Sequence, residues 1–259
     1  MKINRREFLK ITGAATLVLA TDSIADVLSN SDFIEALPAE KGGIEGKRWG
    51  MLVDVEKCTK AASQGCRKCV EACRKENNIP VLDDPRRTPE WIKIVKVKNE
   101  FDDSKELYVP LLCNHCEHAP CVQVCPTQAS FRRKDGIVLI DSHRCIGCRY
   151  CMVACPYNAR NWNFKDSLEM LKEINPEVPR RSHGVVEKCT FCFHRVDKAV
   201  EEGKNPVPAC VEACPEKALV FGDLNDPNSE ISKMIKESRV YRLREYLGTE
   251  PSVYYKNLR

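Results

Sequence analysis

The sequence predicts an α+β protein whose core is stapled by a cofactor as much as by side-chain packing. Three observations carry that expectation. Sixteen cysteines occur in a chain of 259 residues, with an aromatic content of only 7%. The cysteines fall into four groups of four, and three groups end in the same Cys-Pro-x-x-Ala pentad. Between the groups lie short apolar runs, bounded by Gly, Pro or Asp, of the length of brief strands and helices. So many cysteines point to metal or disulfides rather than to ordinary packing.

The run CIGCRYCMVACP, Cys145 to Pro156, defines the unit. Three cysteines stand two residues apart, a fourth follows after three, and a proline comes next. This is the bacterial-ferredoxin spacing for a [4Fe–4S] cubane, in which the fourth cysteine ligates the other cluster of a pair. Three close thiolates wrap one face of a cubane from a single turn of chain. The fourth rides on the following helix and faces a neighbouring cluster. Pro156 stops the helical hydrogen-bond pattern after that ligand.

The other groups vary this theme. The first is Cys58, Cys66, Cys69 and Cys73, with gaps of seven, two and three residues. Residues 59–65, TKAASQG, have to form a loop that returns Cys58 to its site, and no proline follows Cys73. MLVDVEKC before it reads as a strand. The second group is Cys113, Cys116, Cys121 and Cys125, with His115 and His118 among them. Four cysteines already fill a cubane, so these histidines are expected to donate hydrogen bonds or face solvent. The fourth group is Cys189, Cys192, Cys210 and Cys214. Its long excursion, RVDKAVEEGKNP, reads as a helix ended by Gly203. Residues 74–112 read as an insertion. A strand at 92–98 and a partner at 106–112 cross an acidic turn at Asp102-Asp103. Asp135-Gly136 turns into a strand at 137–140. Ser229 to Tyr246 has helical apolar spacing.

The pentads 125–129, 155–159 and 214–218 make an internal repeat of a small ferredoxin-like unit. Sixteen cysteines in four groups match four cubanes. Zinc also uses C-x2-C pairs, but rarely with a third close cysteine followed by Cys-Pro. The formal charge of +4 is misleading for a loaded protein, because each thiolate-ligated cubane brings about −2. Lys57, Arg67, Lys68, Arg144, Arg149 and Lys188 flank the cysteines and partly offset that charge. Nucleic acid is therefore not an expected partner.

The N-terminus reads as an address. Arg5 and Arg6, then Phe8-Leu9-Lys10 and the apolar stretch 11–20, match a twin-arginine (Tat) export signal. That stretch is too short for a confident membrane span. Tat carries folded proteins, which suits a cofactor inserted before export. The expected divisions are 1–25, signal or anchor; 26–48, linker; 49–112, first motif plus insertion; 113–160, inner dicluster unit; 161–223, fourth motif, pairing with the first; and 224–259, C-terminal helix and docking tail, with GTEPSVYY at 248–255 as the docking segment.

The sequence alone does not fix which groups pair. VPLLCNHCEHAPCVQVCP, CIGCRYCMVACPYNAR, and EKCTFCFHRV with ACVEACPEKALVFGDLNDP resemble the four-cluster electron-transfer subunits found beside molybdopterin reductases and quinone-interacting complexes. Within that family the Tat signal, CTKAASQGCRKC and NPEVPRRSHGVVEKCTFC are most similar to iron–sulfur subunit 1 of Hdr-like menaquinol oxidoreductases of the Dsr and Hme type. The long first gap departs from the family's usual C-x2-C opening and puts Cys58 alone in question. The resemblance implies two interleaved bacterial-ferredoxin-like dicluster units with inserted hairpins and loops. It implies cluster 1 on Cys58, Cys66, Cys69 and Cys214; cluster 2 on Cys73, Cys189, Cys192 and Cys210; cluster 3 on Cys113, Cys116, Cys121 and Cys155; and cluster 4 on Cys125, Cys145, Cys148 and Cys151. It further implies a non-catalytic relay on the outer face of the cytoplasmic membrane. Its partners would be an integral quinone-binding subunit and cytochrome c or other redox subunits. The rival reading is the relay of a molybdopterin oxidoreductase of polysulfide or nitrite reductase type. No nucleophile–base pair, phosphate loop or flavin fingerprint suggests catalysis.

Overall fold

The computed structural model describes residues 42–99 and 102–258, all within one unit, Glu40–Arg259. The expected export signal with Arg5 and Arg6 lies outside the described residues, as does most of the expected linker. Among the described residues the strands are β1 (Trp49–Asp54), β2 (Ile92–Asn99), β3 (Asp102–Leu112), β4 (Ser130–Arg132), β5 (Val138–Ile140), β6 (Asn161–Trp162), β7 (Val186–Glu187), β8 (Leu219–Asp223), β9 (Val240–Tyr241) and β10 (Val253–Lys256). The helices are α1 (Val55–Ala62), α2 (Lys68–Glu76), α3 (Pro120–Gln123), α4 (Tyr150–Val153), α5 (Phe193–Glu201), α6 (Ala209–Glu212) and α7 (Glu230–Glu237).

β1 is the spine of the core. All six residues of WGMLVD are buried, and apolar side chains on both faces suit a central strand. It pairs antiparallel with β8, Met51 opposite Phe221, and parallel with β10, Met51 opposite Val253. The sheet order is β8-β1-β10-β9. Thus the strand entering the first cysteine group lies against the strand leaving the fourth. The remaining strands form two-stranded ribbons: β2 with β3, β4 with β5, and β6 with β7. The β4–β5 ribbon joins the second cysteine group to the third. It turns at Gly136, whose φ of +83° a side chain would strain.

Two expectations are corrected. The segment 248–255 is not a free docking tail. Val253 and Tyr255 are fully buried, and β10 sits between β1 and β9. The residues before it strap the second cysteine loop. Glu117 N donates to Glu250 O, Ser252 N to Asn114 O, and Ser252 Oγ to His115 O at 3.1 Å. A β-branched and aromatic pair at the chain end completes a sheet here rather than meeting a partner. The helix expected to reach Tyr246 also stops early, at Glu237. Ser238 is extended, and Val240-Tyr241 leave as β9 to pair with β10.

Candidate metal centres

Local geometry repeats at every cysteine group. In three C-x2-C pairs, Cys113–Cys116, Cys145–Cys148 and Cys189–Cys192, the residue before the second cysteine takes positive φ: His115 at 42°, Gly147 at 70° and Phe191 at 54°. That left-handed residue reverses the chain so that two thiols face one point. The first group keeps the device, with Gly65 at 86° just before Cys66. Residues 59–65 are therefore mostly helix, not loop: α1 carries Cys58 and a turn over 63–65 brings the chain to Cys66. The Cys-Pro-x-x-Ala pentads share a second reversal, at Gln128 (52°), Asn158 (48°) and Lys217 (48°). Those amides bond back to the carbonyls of Cys125, Cys155 and Cys214. Two later amides reach sulfur itself, Ser130 N to Cys125 Sγ at 3.4 Å and Ala218 N to Cys214 Sγ at 3.3 Å. Cys73, which no proline follows, stays inside α2, and the helix runs on to Glu76.

The fold gathers the thiols into four sets. Cys58, Cys66, Cys69 and Cys214 line one cavity. Burial first, then Cys69, Cys214 and Cys66, push the Cys58 thiol up to about 12. Cys73, fully buried, faces Cys189, Cys210 and Cys192, and its thiol is raised well above the usual value, burial leading. Cys116 faces Cys113, Cys121 and Cys155; burial and those thiols push it up to about 12. Cys151 faces Cys145 and Cys125, while Cys148 of the same run is exposed. Cys125 differs in direction. Burial would raise it, yet hydrogen bonds led by the Ser130 amide hold it below the ordinary thiol value. That suits a ligand that must be a thiolate. The sets adjoin in series. Cys69 meets Cys73 and Cys210, Cys189 meets Cys113, and Arg160 meets both Cys121 and Cys151.

Such thiols suit a multinuclear guest. Around a single zinc at about 2.3 Å, four sulfurs would close to under 4 Å of one another. Among the described residues no group of three or more Cys, His, Asp or Glu side chains is arranged to hold a single metal ion. His115 is buried and stacked on Phe191 at 3.7 Å, and its Nδ1 accepts from Val138 N. Burial, then Lys188 and Arg160, hold it neutral. It serves packing and the β5 backbone. His118 is exposed beside Glu250.

Two residues escape a reading from spacing. Asn77 Nδ2 lies 3.7 Å from both Cys73 Sγ and Cys192 Sγ. Arg160 follows the second pentad, where Ser130 and Leu219 follow the others, and its Nη1 donates to Ser130 Oγ at 2.9 Å. A cation breaking an otherwise apolar or small repeat position was the available signal for Arg160. Asn77 gave none.

Cysteine sets spaced for cubanes, in a repeat of ferredoxin-like turns, define the class: a [4Fe–4S] dicluster protein. Models of the 4Fe-4S dicluster domain match residues 104–174 and 144–219. The chain is 54% identical to the Hdr-like menaquinol oxidoreductase iron-sulfur subunit 1 of Archaeoglobus fulgidus, over 99% of this chain and 98% of that one. It is 40% identical to the menaquinone reductase iron-sulfur cluster-binding subunit of Nitratidesulfovibrio vulgaris, over 80% and 88%. It is 38% identical to Protein NrfC of Escherichia coli, over 98% and 95%. The chain belongs to the four-cluster [4Fe–4S] ferredoxin-type electron-transfer subunit family. Its sixteen cysteines fit four [4Fe–4S] clusters.

Proposed function

We propose that this chain relays single electrons for a membrane-bound menaquinol-oxidising complex, between quinol and cytochrome c or other subunits. The observation that carries the reading is the serial order of the four cysteine sets, from the cavity at Cys58 to the exposed Cys148. The similarity to subunits named for menaquinol and menaquinone reactions supports the choice of complex. When bound, each cubane accepts and returns one electron, with thiolates at every iron leaving no position for substrate. The protein's own part is to hold the thiols, exclude water and place the donors around sulfur.

The assignment of ligands follows the crossed pattern. Cluster 1 takes Cys58, Cys66, Cys69 and Cys214; cluster 2 takes Cys73, Cys189, Cys192 and Cys210. Cluster 3 takes Cys113, Cys116, Cys121 and Cys155; cluster 4 takes Cys125, Cys145, Cys148 and Cys151. The inner motifs, 113–160, interleave with an outer pair from 49–112 and 161–223; the β1–β8 pairing supports that nesting. Export by the Tat route, through Arg5 and Arg6, would place the protein on the outer face of the membrane. Among the described residues no helix is long and apolar enough to cross it.

Docking is assigned to the run around Cys148 instead of the C-terminus. Ile146, Tyr150 and Val153 are 67%, 63% and 89% exposed beside it. An apolar rim around an accessible ligand suits an integral quinone-binding subunit seated directly over cluster 4. Purification from membranes tests the reading. A quinone-binding membrane subunit and a multihaem cytochrome should co-purify. A large molybdenum subunit would instead make the chain the relay of a molybdopterin oxidoreductase.

A further inference from the structure

Among the described residues four Arg or Lys side chains are buried: Arg133, Arg160, Arg181 and Lys188. Two are matched by acids. Arg133 pairs with Asp135 at 2.7 Å and with Asp197, and Arg181 with Glu187 at 2.7 Å. The other two are not. Arg160 is 3% exposed and Lys188 1% exposed. Neither forms an ion pair with a carboxylate among the described residues. Arg160 donates Nη1 to Ser130 Oγ, and its buried Nη2 has no hydrogen-bond partner. Lys188 Nζ donates to the carbonyls of Val138 and Cys189. A buried cation without an anion is strongly disfavoured. A fold that keeps two of them has an anion in prospect.

Both face cysteines. Burial disfavours the charge on Arg160, and the neighbouring Cys121, Cys151 and Cys113 outweigh it. Lys188 acts on Cys189 and on Cys121. Cys121 is thus addressed by both cations. The first set differs: burial and neighbouring thiols lead at Cys58 and Cys69, with no cation among the causes.

We propose that Arg160 and Lys188 are fixed counter-charges that raise the reduction potentials of the inner clusters, most of all the one held by Cys113, Cys116, Cys121 and Cys155. A thiolate-ligated cubane carries about −2 when oxidised and gains a further negative charge on reduction. A fixed positive charge in a water-poor interior therefore stabilises the reduced form more than the oxidised one. Arg160 acts between clusters 3 and 4, and Lys188 between clusters 2 and 3. The device makes the middle of the relay an electron well and leaves cluster 1 without cationic help.

The proposal rests on the ligand grouping given above, and its test separates the two. Arg160→Gln, Arg160→Lys and Lys188→Met are made in the full chain, with iron counted and each cluster's midpoint potential read by EPR-monitored titration. Arg160→Gln and Lys188→Met should each shift the reduction equilibrium of at least one inner cluster tenfold toward the oxidised form, about 59 mV for one electron. Arg160→Lys should keep the wild-type potentials. Full iron with four unchanged potentials in both neutral variants would overturn the proposal. So would iron loss in Arg160→Gln and Arg160→Lys alike with the surviving potentials unmoved, since that marks a structural fork rather than a charge. Failure of the grouping reads differently: potentials would still move, but on clusters other than the one that takes Cys113, Cys116, Cys121 and Cys155.

Discussion

Cys73 and Cys192, from the first and last cysteine groups, share one amide: Asn77 Nδ2 stands 3.7 Å from each sulfur. The same amide donates to Cys73 O at 3.1 Å, which fixes its rotamer. Hydrogen bonds to ligand sulfur raise a cluster's potential by stabilising its reduced form. Asn77→Leu should lower the potential of cluster 2 and leave the others in place. An EPR-monitored titration in which all four potentials match the wild type would remove Asn77 from this role.

Gly147 tests the reversal that shapes the C-x2-C loop. Its φ is +70°, and a Cβ there would stand 2.3 Å from Gly184 O and 2.7 Å from the Trp162 ring. Backbone cannot yield as a flexible side chain can. Gly147→Ala should displace the β6–β7 ribbon, cost about 1–3 kcal/mol from the backbone strain alone, and loosen cluster 4 first. Thermal melting with iron analysis checks this, and an unchanged midpoint would contradict it.

Ligation by Cys58 is tested alone. It lines the same cavity as Cys66, Cys69 and Cys214. Cys58→Ala should lower iron from about sixteen to about twelve or fifteen atoms, as a whole cubane or one iron is lost. Full iron in that variant would make the first site independent of Cys58.

The position of β10 reverses the effect expected of truncation. Removing residues 249–259 deletes a central strand and fully buried Tyr255, whose truncation to alanine alone would cost about 3–5 kcal/mol. The truncated chain should fail to accumulate as a folded protein. By contrast, Val153→Glu with Tyr150→Glu alters exposed positions, where substitutions usually stay within about 0.5 kcal/mol. That double variant should keep its iron and leave the membrane complex. Retention at wild-type levels would send the docking surface elsewhere.

Much of this was legible because cluster ligation writes itself into spacing. The Cys-Pro pentads marked the turns after short helices, but α3, α4 and α6 end at Gln123, Val153 and Glu212, so Cys125, Cys155 and Cys214 stand just past their helices and not on them as expected. The β2–β3 hairpin and the α5 excursion followed from period and from Gly203. The rest depends on contacts distant in sequence. GTEPSVYY resembles a polar tail because its partner strand, β1, lies at the other end of the folded unit. Arg160 and Asn77 matter through sulfurs brought near by folding, which no local pattern encodes. The helical spacing past Ser238 was overridden when Val240 and Tyr241 found a sheet edge.

Iron and acid-labile sulfide per chain test whether sixteen cysteines hold four cubanes. The purified full-length protein should carry about sixteen of each. Zinc in place of iron, or iron near four atoms without sulfide, would contradict it.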